Sequence, residues 1–120
     1  YWKKNRKINL EKSLKFNREI SGHLVYGHID GISKLMKVKK KLNNWNMFFE
    51  YTSKKQKHFF AEKGSISLNG ISLTIANILD RNFSVSIIPY TFENTNLSNL
   101  KINDAVNVEF DMLARYIFNK

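Results

Sequence analysis

The dipeptide Asn69-Gly70 lies between two short runs, Ser65-Ile66-Ser67-Leu68 and Ile71-Ser72-Leu73-Thr74-Ile75. Both turn residues tolerate positive φ, which a two-residue hairpin loop with the right twist demands, so the stretch predicts a β-hairpin. Further strand signals run over Gly22 to Lys37, Asn46 to Thr52, Ile71 to Leu79, Asn82 to Ile88 and Ala105 to Asp111. Asp80-Arg81-Asn82 marks a second turn. Helical pieces are few: one after Glu11, one near Lys54 to Phe60 ahead of Lys63-Gly64, and one from Met112 to Phe118. Six or so strands with little helix predict an all-β fold, a small antiparallel barrel or sandwich.

With 120 residues, of which 42% are hydrophobic, the chain is sized for one domain with a real core. No apolar run approaches the roughly 20 residues that span a bilayer, so membrane insertion is not expected. The absence of cysteine excludes disulfides, thiolate metal sites and cysteine nucleophiles, and leaves a cytoplasmic location as the default expectation. The start, Tyr1-Trp2-Lys3-Lys4, has neither an initiator methionine nor the pattern of a secretory leader, and reads as a piece of something longer. The net charge of +10 gathers at Lys3, Lys4, Arg6 and Lys7, at Lys37 and Lys39 to Lys41, and at Lys54, Lys55 and Lys57. Such clusters attract phosphates. In a chain rich in Lys, Asn and Ile throughout, composition explains them better than a nucleic-acid surface.

Lys7-Ile8-Asn9-Leu10-Glu11 returns near the end as Ala105-Val106-Asn107-Val108-Glu109. Taken as a repeat, this makes residues 1–11 the closing strand of a preceding similar barrel, or a linker from it. The stretch richest in chemistry is GHLVYGHIDG, from Gly22 to Gly31. On a strand, His23 and His28 would face opposite sides, so they are not expected to share a metal ion. Gly27 and Gly31 clear side chains from around His28 and would let a flat polar heterocycle approach the backbone. A structural histidine bonded within the sheet is the alternative. His58 has no partner pattern and reads as a surface or capping residue. No nucleophile elbow, phosphate loop, dinucleotide fingerprint or paired-histidine zinc motif is present.

GHLVYGHIDG, KGSISLNGISLTI at Lys63 to Ile75, IPYTFENTNL at Ile88 to Leu97 and VNVEFDMLARY at Val106 to Tyr116 resemble, in this order, the second barrel of the riboflavin synthase family. The resemblance implies a six-stranded antiparallel Greek-key barrel with short helices and a C-terminal helix. It places a preceding barrel's tail or linker at 1–11, the lumazine-binding barrel at 12–111 and the helix at 112–120. It also implies dismutation of two 6,7-dimethyl-8-ribityllumazine molecules to riboflavin and 5-amino-6-(ribitylamino)uracil, without metal or added cofactor. Each barrel would bind one substrate, and catalysis would occur where two barrels face each other in a homotrimer.

Carried over by motif, the substrate contacts are Gly27, His28, Ile29, Lys63, Ser72, Leu73, Thr74, Ile88, Pro89, Tyr90 and Thr91. The resemblance gives catalytic roles to His28, Ser72 and Asp111, of which Asp111 could equally cap the helix after it. Two positions depart from the family pattern: Tyr90 stands where His is common, and Asn69 replaces the usual Asp of the turn. A lumazine- or flavin-binding protein without turnover, and a nucleic-acid-binding barrel, are the other functional classes to weigh.

Overall fold

The computed structural model describes residues 3–118 of the chain. Six antiparallel strands, β1 (Gly31–Lys41), β2 (Asn44–Glu50), β3 (Ser65–Leu68), β4 (Ile71–Ile78), β5 (Asn82–Ile87) and β6 (Ala105–Phe110), close into a barrel in the order β1-β2-β5-β4-β3-β6. The β3–β4 hairpin is the one that Asn69-Gly70 predicts: Leu68 pairs with Ile71, and φ is 50° at Asn69 and 80° at Gly70. Closure depends on β1, whose first half pairs with β6 and whose second half pairs with β2. An irregularity between Leu35 and Lys37 bends the strand between these two partners.

Alternation sends Leu35, Met47, Phe49, Ile66, Leu68, Ile75, Phe83, Val85, Val106 and Val108 into a fully buried core. Aromatic rings fill one end, where Phe60 packs against Phe83 at 4.7 Å and edge-on against Phe110 at 5.1 Å. Phe59 and Phe60 reach this end from a 3-10 turn over Lys54–Phe59. His58 lies exposed on that turn with its ring against Phe59. At another part of the barrel, Trp45 of β2 stacks on Phe92 at 4.2 Å and seats a short helix, α1 (Pro89–Glu93). A second 3-10 turn covers Asn96–Asn99, and α2 (Met112–Phe118) follows β6. None of the helices is long and apolar enough to cross a membrane.

Two expectations are corrected. Gly22 to Asp30 is not strand: φ is +80° at Gly22 and +79° at Gly27, which breaks the extended path, and β1 starts only at Gly31. No helix follows Glu11; residues 10–22 are exposed, so a helix there would have no surface on which to bury an apolar face. β5 ends at Ile87, one residue short of the expected Ile88, and α1 opens with Pro89 at its first turn, where its missing N–H costs nothing.

The leading segment touches the barrel through Asn9. Its side chain donates to the Asn69 carbonyl and to Asn96 Oδ1, both at 2.9 Å, and accepts from the Asn96 amide at 2.8 Å. Residues 7–11 form no strand. Asn69 in turn accepts from the Asn107 amide through Oδ1 at 2.8 Å, so both asparagines of the sequence repeat meet at the hairpin tip.

Gly70→Ala should lower stability by about 1 to 2 kcal/mol, the cost of a Cβ in left-handed backbone. A Cβ there meets nothing within 4 Å, so the loss would be conformational rather than steric. Urea denaturation gives the number, and a loss near zero would show that the turn does not need its left-handed geometry.

Candidate functional site

The outer face of the barrel carries a row of polar residues across three strands: Glu109 on β6 pairs with Ser67 on β3, which pairs with Ser72 on β4. Residues 22–30 cross this row as a strap. At its start the His23 amide donates to Ser72 Oγ at 3.2 Å, and His23 Nδ1 lies 2.6 Å from the same oxygen. Since Ser72 Oγ accepts from the amide, its own proton is available to Nδ1, and in the neutral ring this leaves hydrogen on Nε2. That Nε2 is buried and has no partner among the described residues. Gly22 is required for the approach, because a Cβ there would come within 2.5 Å of Ser72 Oγ.

Midway along the strap, the Tyr26 and Gly27 amides donate to Glu109 Oε2 and Oε1, each at 2.7 Å. Glu109 is 4% exposed. A buried carboxylate needs such partners, and both of its oxygens are engaged. At the far end the Asp30 amide donates to the Val108 carbonyl at 2.8 Å, and the Asp30 carboxylate accepts from the Phe110 amide at 2.7 Å. Asp30 also forms an ion pair with Arg115 of α2. The strap is thereby fixed at β4, at β6 and at the C-terminal helix, while Leu24, Val25, Tyr26 and Ile29 between these points remain exposed.

Of the residues singled out from sequence, Ser72 and Thr74 project outward from β4, Ser72 beneath His23 and Thr74 exposed. Thr74 pairs with Ser86 on β5, so Ile88, two residues beyond Ser86, lies on the same side as Ser72. Lys63 is exposed, and its amide donates to the Ile75 carbonyl at 2.8 Å, which places it at the Thr74 end of β4. Gly27, His28 and Ile29 are carried on the strap, all exposed, with the His28 ring 6.4 Å from that of Tyr26. Pro89 and Tyr90 are exposed on α1, and Thr91 is half-buried there. Leu73 instead points into the core, so only its backbone is available on the outer face. Asp111 caps α2, its Oδ1 accepting from the Leu113 amide at 3.2 Å.

The histidine that meets Ser72 is His23, which the sequence pattern did not single out. The argument that the two histidines face opposite sides of a strand lapses with the strand itself. Among the described residues, no group of three or more His, Cys, Asp or Glu could hold a metal ion. Glu109 was visible only within the repeat and the Val106 to Tyr116 motif, with no role assigned, since nothing in its neighbours reveals that two amides more than 80 residues away would bond to it.

A sequence profile of the lumazine binding domain matches residues 26–111, from the strap to the end of β6. This chain belongs to the lumazine-binding domain family. The riboflavin synthase of Actinobacillus pleuropneumoniae is 41% identical over 115 residues, which is 96% of this chain and 53% of that protein. The riboflavin synthase of Brucella abortus is 40% identical over 115 residues, 96% of this chain and 56% of that protein. The chain therefore spans about half the length of these relatives. Among solved structures, LumP complexed with 6,7-dimethyl-8-(1'-D-ribityl) lumazine has a TM-score of 0.68 at 22% identity, over 77% of this chain and 52% of that one. LumP complexed with riboflavin has a TM-score of 0.70 at 21% identity, over 79% and 51%. These two likenesses show a shared barrel fold.

Glu109→Ala should release the strap of this lumazine-binding domain at its midpoint. Amide exchange at Tyr26 and Gly27 should accelerate strongly, with a stability loss of about 2 to 3 kcal/mol for two charge-assisted bonds. Unchanged exchange at both amides would remove Glu109 from the anchoring role.

Proposed function

We propose that this domain binds one molecule of 6,7-dimethyl-8-ribityllumazine on its outer face, between the strap and β4, and is the second barrel of a riboflavin synthase. The observation that carries this reading is the His23–Ser72 contact, which lays the glycine-bearing strap along the same face as Thr74 and Ile88. A flat heterocycle on that face would meet strap backbone on one side and the Ser72 and Thr74 hydroxyls on another, with Lys63 within reach of its carbonyl or ribityl oxygens. The barrel would occupy residues 12–111, with the tail of a preceding barrel at 1–11 and the C-terminal helix at 112–120.

The reaction transfers four carbons between two lumazines, so two substrate faces must meet. The 7-methyl group of one loses a proton to give a ring-stabilised carbanion that adds to the other ring. Two C–C bonds form between the four-carbon units, and the two C–N bonds that hold the transferred unit to its donor break, releasing 5-amino-6-(ribitylamino)uracil. Holding both rings at attack distance supplies a large effective molarity. One barrel provides one face, and the exposed apolar side chains of Leu24, Val25, Tyr26 and Ile29 suit contact with a second barrel, as in a homotrimer of two-barrel chains. His28, exposed beside this surface, is the side chain for proton transfer near neutral pH, while His23 positions Ser72. Asp111 caps α2 through Oδ1, a bond compatible with its proposed place at the reacting centre.

Fluorescence titration of the chain with 6,7-dimethyl-8-ribityllumazine should give saturable binding at one site. Thr74→Val should weaken it by about 1 to 3 kcal/mol, or roughly 5- to 150-fold in Kd, because a polar group of the ligand loses its partner. No saturable binding by folded protein would refute the reading.

Residues 1–120 alone should form riboflavin very slowly or not at all, whereas a two-barrel protein should form it readily. In that protein His28→Ala should lower kcat by about 10² to 10⁴ if His28 moves the proton. Tight binding without turnover in the two-barrel protein would favour a lumazine- or flavin-binding protein that is not an enzyme.

A further inference from the structure

The strap joins the barrel at Asp30, and the manner of joining links the segments that carry His28 and Asp111. In the register that pairs Gly31 with Val108, a longer β1 would set Ile29 opposite Phe110. The strap turns away before that point, which would leave the Phe110 amide without a partner on the β1 side. Asp30 fills the gap. Its own amide donates to the Val108 carbonyl at 2.8 Å, and its Oδ2 accepts from the Phe110 amide at 2.7 Å. The carboxylate thus stands in for the next backbone carbonyl, at the last residue of β6.

The other oxygen, Oδ1, forms the ion pair with Arg115 of α2. The Asp30 side chain is 11% exposed and that of Arg115 33%, so solvent screens this pair less than one fully on the surface. His28 lies two residues before Asp30, and Asp111 follows Phe110 directly. One carboxylate therefore holds both segments. Arg115 has a second acid within its range: its amide bonds the Asp111 carbonyl at 3.2 Å, which sets the two side chains one helical turn apart. An acid four residues ahead of a base is the order that favours an ion pair along a helix. The cap of α2 engages only Oδ1 of Asp111, yet the guanidinium is turned to Asp30 instead.

We propose that Asp30 is a positioning residue of the lumazine site, which fixes the His28 segment against Asp111 and holds the Arg115 guanidinium off the Asp111 carboxylate. This rests on the roles given above to His28 and Asp111. Asp30 acts through the strap backbone, the Phe110 amide and Arg115, and not on the substrate itself. Its removal has two effects. Strap and helix lose their common anchor, and Arg115 is left to pair with Asp111, where it occupies a carboxylate of the reacting centre.

The test reads proton abstraction from one bound lumazine, which needs no second barrel. The chain is saturated with 6,7-dimethyl-8-ribityllumazine in heavy water, and the 7-methyl proton signal is followed by NMR; each event moves one methyl proton to His28 and returns a deuteron from solvent. Kd is measured by fluorescence on the same variants. His28→Ala and Asp111→Asn are the controls, and each should slow exchange. Asp30→Asn keeps an oxygen for the Phe110 amide but no charge for Arg115, and should slow exchange about tenfold or more while Kd changes by less than about twofold. Arg115→Gln alone should slow it less, and Arg115→Lys should recover most of that loss. Asp30→Asn combined with Arg115→Gln should exchange faster than Asp30→Asn alone, because the cation that competes for Asp111 is gone. A double variant slower than either single one, a Kd that rises in step with the loss of rate, or unchanged exchange in Asp30→Asn would each overturn the proposal. If Asp30→Asn does not fold, the Arg115 variants decide, and no loss with Gln or no recovery with Lys overturns it. If lumazine binds and neither control slows exchange, the roles given to His28 and Asp111 fall and the proposal with them. If lumazine does not bind, the site reading itself is wrong.

Discussion

A buried carboxylate on β6 determines the shape of the whole functional face. Glu109 points away from the core and is nevertheless almost fully covered, a position that is costly unless both oxygens are bonded. Nothing on the neighbouring strands supplies two donors. The Tyr26 and Gly27 amides do, and this draws residues 22–30 off the sheet and across it. Gly27 can follow that path because its φ of +79° is open to glycine. The contact of His23 with Ser72, the exposure of His28 and the approach of Asp30 to Arg115 all depend on the strap lying where Glu109 holds it.

The filled barrel also leaves the outer face as the place for the proposed ligand. A closed barrel of six strands has room only for its own side chains, and here Phe49, Phe83 and their aliphatic neighbours fill it. In the proposed reading, ligand recognition falls to outward members of the alternating strands such as Ser72 and Thr74. An outer face covers a ligand on one side only. A reaction between two copies of one substrate suits such a surface, because the exposed side of the first molecule is where the second must arrive.

Much of the fold was legible because it is written in local signals. Asn69-Gly70 specifies a turn, alternation specifies faces, and the positions of β3, β4, β5 and β6 follow to within a residue or two at each end. The proposed site residues come only from the resemblance of their motifs, and the residues that fix the strap over that face were not visible in the sequence. His23 and His28 sit in nearly identical local contexts, each after a glycine, and only the path of the strap decides which meets Ser72. The partners of Glu109 lie 83 and 82 residues away in sequence and the Phe110 amide lies 80 away from Asp30, beyond the reach of any periodicity. Alternation could likewise have assigned Leu73 to the core, but the motif that contains it reads as one contact segment.

Closure has a further consequence for recognition. An open sheet offers its terminal strands to any extended peptide, which adds by backbone bonding with little regard to sequence. In the order β1-β2-β5-β4-β3-β6 every strand has a neighbour on both sides. Whatever docks on this domain must therefore match its side chains. For the proposed second barrel, selectivity would reside in the exposed strap residues Leu24, Val25, Tyr26 and Ile29, whose side chains can change without disturbing a single rung of the ladder that supports them.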